Sequence, residues 1–393
     1  MGDDLAAALD AFLARHETEL IELRRDLHAH PEPANAERRT TEVVAERLAR
    51  AGLRPVLFSG STGLQADIGH GEPRIALRAD LDALPMDDEK SVSYRSTIPG
   101  FCHACGHDAH TAMLVGAGEF LAELAASRPL RGGVRLIFQP AEETASGAKQ
   151  VIAAGALDGV SQIFALHCDP RLDVGRVGIR AGAITAACDK VRVTLAGPGG
   201  HTARPHLTAD VVYALGKVVT EVPAALTRRV DPRAGLSLVW GHVNAGTAAN
   251  AIPDGGIVEG TLRCLDAEVW RSAVVLIEDL VQSVAAPYGV IAKVEYLSAV
   301  PPTVNEVTSA ALVAAAASAV LGPGAVTDTL QSLGGEDFAW YLEMVPGAMA
   351  RIGTRAPGAR VAGDLHQPVF DIDERAIGAG VRVLASIAVA AGA

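Results

Sequence analysis

Asp80, Glu142, Glu143 and His167 all stand where predicted strands run out. Asp80 closes RIALRAD (74–80), and the paired glutamates follow VRLIF (134–138) just past Gln139-Pro140. His167 lies at the end of SQIFALHC (161–168). In open α/β sheets the carboxyl ends of the strands line the functional crevice, so these side chains are expected to converge. Cys105 and His107, from HACGHDAH (103–110), add a thiolate and an imidazole to the carboxylates. Such a donor set suits zinc-type ions, and its carboxylate oxygens also accept manganese or cobalt.

Each residue alone has a plainer explanation. An aspartate at a strand end caps a helix or shapes a turn. Adjacent glutamates at a helix start are favoured by the helix dipole. A histidine within an apolar strand is usually a satisfied core residue. Cys102-His-Ala-Cys105 reads as half a structural zinc site or as a thioredoxin-like redox pair, but no second C-x-x-C exists. It is the conjunction of these residues that points to metal chemistry.

Positioning such a set requires a sheet and its flanking helices. Helices are expected at 3–29 and 38–52, broken at His30-Pro31-Glu32-Pro33. Short β-rich runs follow at 54–58, 63–69 and 74–80, then a helical pattern leads from the HACGHDAH cluster to about 127. A strand at 134–138, a helix near 144–155 and a strand at 161–168 complete a rhythm of continuous apolar strands between helices. That rhythm predicts a mainly parallel sheet covered on both faces. From about 188 the order becomes β-α-β-β-α-β, with strands at 190–197, 236–244, 256–264 and 289–297 and helices at 207–222 and 267–287. This is the ferredoxin-like pattern, and it is expected as an inserted α+β domain at 188–299. Residues 1–187 and 300–393 then form the α/β domain, resumed after VPPTVNE (300–306) by a helix near 307–321, a strand at 349–354 and a final helix from 374.

The bulk composition fits this division. The 393 residues exceed what one hydrophobic core sustains, and 49% hydrophobic with 20% charged residues describes a well-buried globular enzyme. A formal net charge of −12 repels phosphate backbones and anionic lipid, so neither nucleic-acid nor membrane partners are expected. The acidic, amphipathic start MGDDLAAALDAFLARHETEL lacks the basic region, apolar core and cleavage site of a secretory signal. Five scattered cysteines do not make a disulfide framework, and a reducing cytoplasm is the expected location.

The chain resembles the metal-dependent aminoacylase and carboxypeptidase family of metallopeptidases, in the branch of hippurate, N-acyl-amino-acid and auxin-conjugate hydrolases. The resemblance runs nearly end to end: DLHAHPE (26–32), LRADLDALP (77–85), HACGHDAHTAML (103–114), FQPAEE (138–143), ALH (165–167), GGHTARPH (199–206), NAIP (250–253), GGEDF (334–338) and LHQPVF (365–370). HACGHDAHTAML with FQPAEE at this spacing is highly specific, whereas GGEDF alone is weak. Pro33-Ala34 replaces the branch's usual leucine-glycine, and Cys102 departs from its pattern.

The resemblance implies two divalent metal ions per subunit (zinc, manganese or cobalt), held by Cys105, His107, Glu143, His167 and His366. It makes Glu142 the general base. Arg78-Ala79-Asp80 stands where distant relatives carry His-x-Asp, and arginine cannot ligate a metal, so Asp80 is expected to orient a ligand. His201 is implied as the donor to the oxyanion, reaching across from the inserted domain of a partner subunit. That domain thereby serves as lid and dimerisation domain of a homodimer. Asn250 and Arg263 are implied as contacts to the substrate carboxylate, a task that suits the arginine fork. The implied reaction cleaves the amide bond of small N-acyl amino acids, hippurate-like, or of small peptides. His28 and His110 have family counterparts without a derivable role. The alternative from another class is a non-catalytic metal-binding or regulatory protein, against which the retention of both glutamates argues, since a structural site needs no free base.

Overall fold

The computed structural model describes residues 2–69, 71–128, 130, 132–298, 300–360 and 363–392. The chain divides into two compact units: Met1–Gly182 with Val304–Leu330 and Asp337–Ala393, and Ala183–Thr303 with Gln331–Glu336. The span read from the sequence for the inserted segment, 188–299, ends on a residue outside the described set.

The first unit is built on an eight-stranded sheet. Its order is Val56–Leu57, Leu64–Ile68, Gly133–Gln139, Pro73–Asp80, Gln162–Asp173, Gly347–Arg355, Val177–Gly178, Val326–Thr327. The central strands pair in parallel, and antiparallel pairs appear toward both edges. Gly133–Gln139 is buried at every position, as the apolar run VRLIF requires of a strand covered on both faces. Helices Gly2–Ala29, Arg38–Arg50, His107–Ser127, Val307–Leu321 and Arg375–Ala390 belong to this unit. Its core gathers Phe12, Leu20, Leu48, Leu77, Leu114, Leu136, Phe164, Ile352 and Val381. His107–Ser127 is buried without a break from His107 to Leu121, so its small residues serve close packing on all sides.

Two expectations are corrected. His167 does not end its strand, which runs on to Asp173. Pairing with Pro73–Asp80 stops at Arg78↔Ala165, whereas pairing with Gly347–Arg355 continues through Arg351↔His167 to Arg355↔Asp173. His167 is thus past the end of one neighbour and still zipped to the other. The helix expected to stop at 222 runs Val211–Arg229 through Pro223, because the buried stripe Val218, Val222 and Leu226 holds both halves on the core.

The second unit carries a four-stranded antiparallel sheet in the order Ser237–Ala245, Gly255–Cys264, Ala187–Ala196, Ile291–Ser298. Its helices are Val211–Arg229 and Ala267–Ala285, giving the ferredoxin-like order expected. Burial alternates along Ala187–Ala196, as in a sheet with one covered face. Asp210 and Asp266 cap the two helices through backbone N–H groups of their first turns. A two-stranded ribbon, Gly200–His201 against Ala251–Ile252, continues past the end of the sheet marked by Ala196 and Gly255.

Candidate metal centre

Strand ends and one helix start bring the donors together. Gly106 precedes the helix His107–Ser127 in the left-handed conformation (φ 90°), and a Cβ there would lie 2.8 Å from the Cys168 sulfur. Glycine therefore lets the chain turn from Cys105 into the helix while packing on the neighbouring strand. The donor atoms of Cys105, His107 and His167 all lie within 4.8 Å of one another, as do those of Cys105, Glu143 and His366, and those of His107, Glu142 and Glu143. Cys105 Sγ is 3.6 Å from His167 Nε2, and Glu143 Oε1 is 3.4 Å from His366 Nε2 and 3.8 Å from His107 Nε2.

Hydrogen bonds behind the donors set which nitrogen faces inward. His107 Nδ1 donates to the Asp82 carbonyl at 2.8 Å, and His167 Nδ1 donates to the Cys168 carbonyl at 2.9 Å. Both rings therefore present Nε2 to the centre, the arrangement found behind metal-binding histidines. Among the described residues, the buried His107 Nε2 and Glu143 Oε1 have no hydrogen-bond partner. Such orphans are costly unless something accepts their lone pairs, and a divalent cation does so for both. The donor set of thiol, imidazoles and carboxylate fits that ion.

The loop after Gly133–Gln139 presents the two glutamates. Asp82, buried, accepts the Glu142 N–H on Oδ1 and the Glu143 N–H on Oδ2, each at 3.0 Å. The Asp337 N–H donates to Glu142 Oε1 at 3.3 Å, while the Asp337 carboxylate accepts from Arg78, Gln139 and the Ala148 N–H. Ala141 (φ 53°) and Ala145 (φ 57°) bracket the pair in left-handed conformations. At Gly147 a Cβ would fall 1.6 Å from the Pro140 carbonyl oxygen, so the loop closes only on glycine.

Asp80 Oδ2 lies 3.8 Å from His107 Nε2. Its carboxylate takes Arg78 Nη1 and His110 Nδ1, each at 2.6 Å, and His110 Nε2 accepts the Cys168 N–H at 2.9 Å. Burial opposes its ionisation, but the charges of His107 and Arg78 outweigh that and hold it well below the usual carboxylate range. Asp80 thus anchors His110 and, through it, the strand that carries His167.

Burial pushes the Cys105 thiol up, and pushes Glu143 up to about 7 with the Asp82 charge adding to it. Both must lose a proton to bind a cation, so protons and metal compete. Because the Glu143 value is raised, the carboxylate is available above about pH 7 and is lost as pH falls below it. Apparent metal affinity, measured by competition with a chromophoric chelator, should weaken by up to about tenfold per pH unit below that point from this proton alone. An affinity that stays flat from about pH 7 down to about pH 6 would show that binding displaces no proton from Glu143 in that range.

His201, Asn250 and Arg263 lie in the second unit. His201 and Asn250 are exposed and adjacent on the ribbon, where the Asn250 carbonyl accepts the Thr202 N–H. Arg263, half-buried beside Cys188, sits at the opposite end of the sheet, paired with Cys188 and Ser237. The thioredoxin-like reading of Cys102 and Cys105 finds no support. Both are free, and Cys102 Sγ faces Lys90 Nζ at 3.7 Å while Cys105 faces His167. Sequence reasoning passed over Asp82 and Asp337, and left His110 without a role. For Asp82 the available signal was its place two residues beyond Asp80, just past the same strand end.

Residues 76–390 match the family described as peptidase family M20/M25/M40. The chain is 39% identical over 367 residues to an N-acetyl-L-cysteine deacetylase of Bacillus subtilis, covering 93% of this chain and 86% of that protein. It is 51% identical over 374 residues to a Rhodococcus jostii protein bearing the name of a glutamate–cysteine ligase, and spans 94% of its own length but only 46% of that relative's. Among solved structures, the Bacillus subtilis YXEP protein, a dinuclear metal-binding peptidase, is similar at 33% identity and TM-score 0.84, over 97% of this chain and 98% of that one.

Proposed function

Since the chain belongs to peptidase family M20/M25/M40, whose members named above include metal-dependent hydrolases of amide bonds, we propose that it hydrolyses small N-acyl amino acids, hippurate-like ones or short peptides among them, with two divalent ions per subunit. The observation that carries this reading is the pair of orphaned, buried donors, His107 Nε2 and Glu143 Oε1, with a second glutamate next to them that hydrogen-bonds elsewhere. Cys105, His107, Glu143, His167 and His366 would hold the ions. When bound, such ions would supply a lowered water pKa and a polarised amide carbonyl. Glu142 takes the proton from the attacking water and delivers it to the leaving nitrogen.

His201 is suited to donate to the oxyanion. The Ala203 N–H points at its Nδ1 at 3.0 Å, so Nδ1 is the acceptor and Nε2 carries the proton of the neutral ring. Arg263 and the His201–Asn250 pair cannot both reach one small substrate from the same chain. Gly255 to Arg263 spans eight residues of strand, roughly 26 Å, and the ribbon begins beyond the Gly255 end. A site that uses all three takes Arg263 from one chain and His201 with Asn250 from the partner. That requirement supports a two-fold dimer with the inserted unit as its lid and dimerisation element.

Treatment with a chelator should abolish turnover of hippurate, N-acetyl amino acids including N-acetylcysteine, and short dipeptides, and manganese, cobalt or zinc should restore it. Undiminished turnover by protein shown to be metal-free would overturn the scheme. A metal-replete protein inert toward the whole panel would favour a binding or regulatory role.

A further inference from the structure

We infer that Glu37 is a positioning residue that holds the loop carrying Glu142 in its reactive conformation, an inference that rests on Glu142 being the base. Glu37 is fully buried, at the N-cap position of the helix Arg38–Arg50. Its Oε1 accepts the N–H groups of Asn35 at 3.0 Å and of Ala141 at 2.8 Å, and its Oε2 accepts the Thr62 hydroxyl.

Ala141 stands immediately before Glu142 at φ 53°, where its Cβ crowds its own peptide oxygen and residues other than glycine seldom settle. The Ala141 amide reports directly on that angle, because rotation about N–Cα swings the Pro140–Ala141 peptide plane. With Glu37 in place, leaving the left-handed region would strand the buried Ala141 N–H and take one of its three donors from the Glu37 carboxylate. Without Glu37 that restraint is gone and the alanine can relax toward negative φ. The Ala141 carbonyl accepts the Ser146 and Gly147 N–H groups and Asp82 holds the Glu142 and Glu143 amides, so a change of φ at Ala141 pulls on these bonds and shifts the loop that carries Glu142. Misplacement of a reacting group by about 1 Å can cost about 10²-fold in rate.

Replacement of Ala141 separates this role from simple support of the fold. Glycine enters the left-handed region without steric cost, so Ala141→Gly makes the anchor less necessary. In Glu37→Ala, kcat should fall about 10²-fold, with KM within about threefold and metal per chain unchanged. Adding Ala141→Gly should return at least about tenfold of that kcat, while Ala141→Gly alone should stay within about twofold of wild type. Glu37→Gln should remain active, since its amide oxygen accepts both N–H groups and its NH₂ donates to Thr62. Glu37→Asp, one methylene short of the Ala141 amide, provides a milder variant should the alanine protein fail to fold, with the same expected rescue.

Unchanged kcat in the Asp and Ala variants, a loss that Ala141→Gly does not relieve, or a loss accompanied by missing metal would each overturn the inference. Glu142→Ala measured alongside distinguishes the two levels. If it keeps turnover, the base assignment fails and the inference with it. If it is inactive and the Glu37 variants are not rescued, only the role of Glu37 fails.

Discussion

Glu142→Ala should retain its metal and lose about 10²–10⁴-fold in kcat, whereas Glu143→Ala should lose bound metal. The two side chains are adjacent and their amides share one carboxylate, Asp82, yet they face different partners. Glu143 Oε1 lies among the imidazoles of His107 and His366, and among the described residues none hydrogen-bonds to it. Removing it deletes a ligand. Glu142 Oε1 instead receives the Asp337 N–H, which holds the carboxylate in place. Removing Glu142 leaves the donors intact and takes away only the proton carrier, a barrier increase of roughly 3–5 kcal/mol. Elemental analysis and kcat on the two purified variants decide the matter. Metal lost from the Glu142 variant and kept by the Glu143 variant would reverse the division of labour.

A mixture of two inactive proteins, Glu142→Ala and His201→Ala, should regain about a quarter of wild-type activity once subunits exchange. If the partner subunit's His201 completes each site, a mixed dimer has one site lacking both groups and one with both intact. Random pairing makes half of the dimers mixed, which fixes the ceiling. The case for a shared site comes from within the second unit, where Arg263 and the His201–Asn250 pair occupy opposite ends of one sheet. Exchange is verified with differently tagged chains. Mixed dimers that are isolated and remain inert would place His201 in its own chain's site or outside the reaction.

Part of the centre was legible in the sequence because Asp80, the paired glutamates, Cys105 and His107 sit at or just past strand ends or in one short cluster, whereas His366 lies in a turn. Asp80, the paired glutamates and HACGHDAH each announce a break in apolar periodicity, and the sheet collects such breaks at one edge. His167 was expected at a strand end and is not at one, because nothing local shows that one neighbouring strand stops before it while another continues. Asp82 and Glu37 were invisible for a different reason. Their partners are backbone N–H groups some 60 and 104 residues away, and a main-chain donor leaves no mark on residue type. The opposite placement of Arg263 and His201 depended on strand register, and on a ribbon of two-residue strands too short to show alternation. The ferredoxin-like order was readable because each of its elements is long enough to carry its own period.

The chain order of the donors has a consequence for synthesis. Cys105, His107, Glu143 and His167 precede the inserted unit, and His366 follows it. On a ribosome adding about 5–20 residues per second, roughly two hundred residues, and so about 10–40 seconds, separate the fourth donor from the fifth. If these five residues hold the ions, the nascent polypeptide would carry only four of them while the inserted unit is being made. A cation captured early would be held by an incomplete shell and remain exchangeable until His366 emerges. Which ion the mature protein retains is then open to kinetic choice at translation as well as to equilibrium affinity.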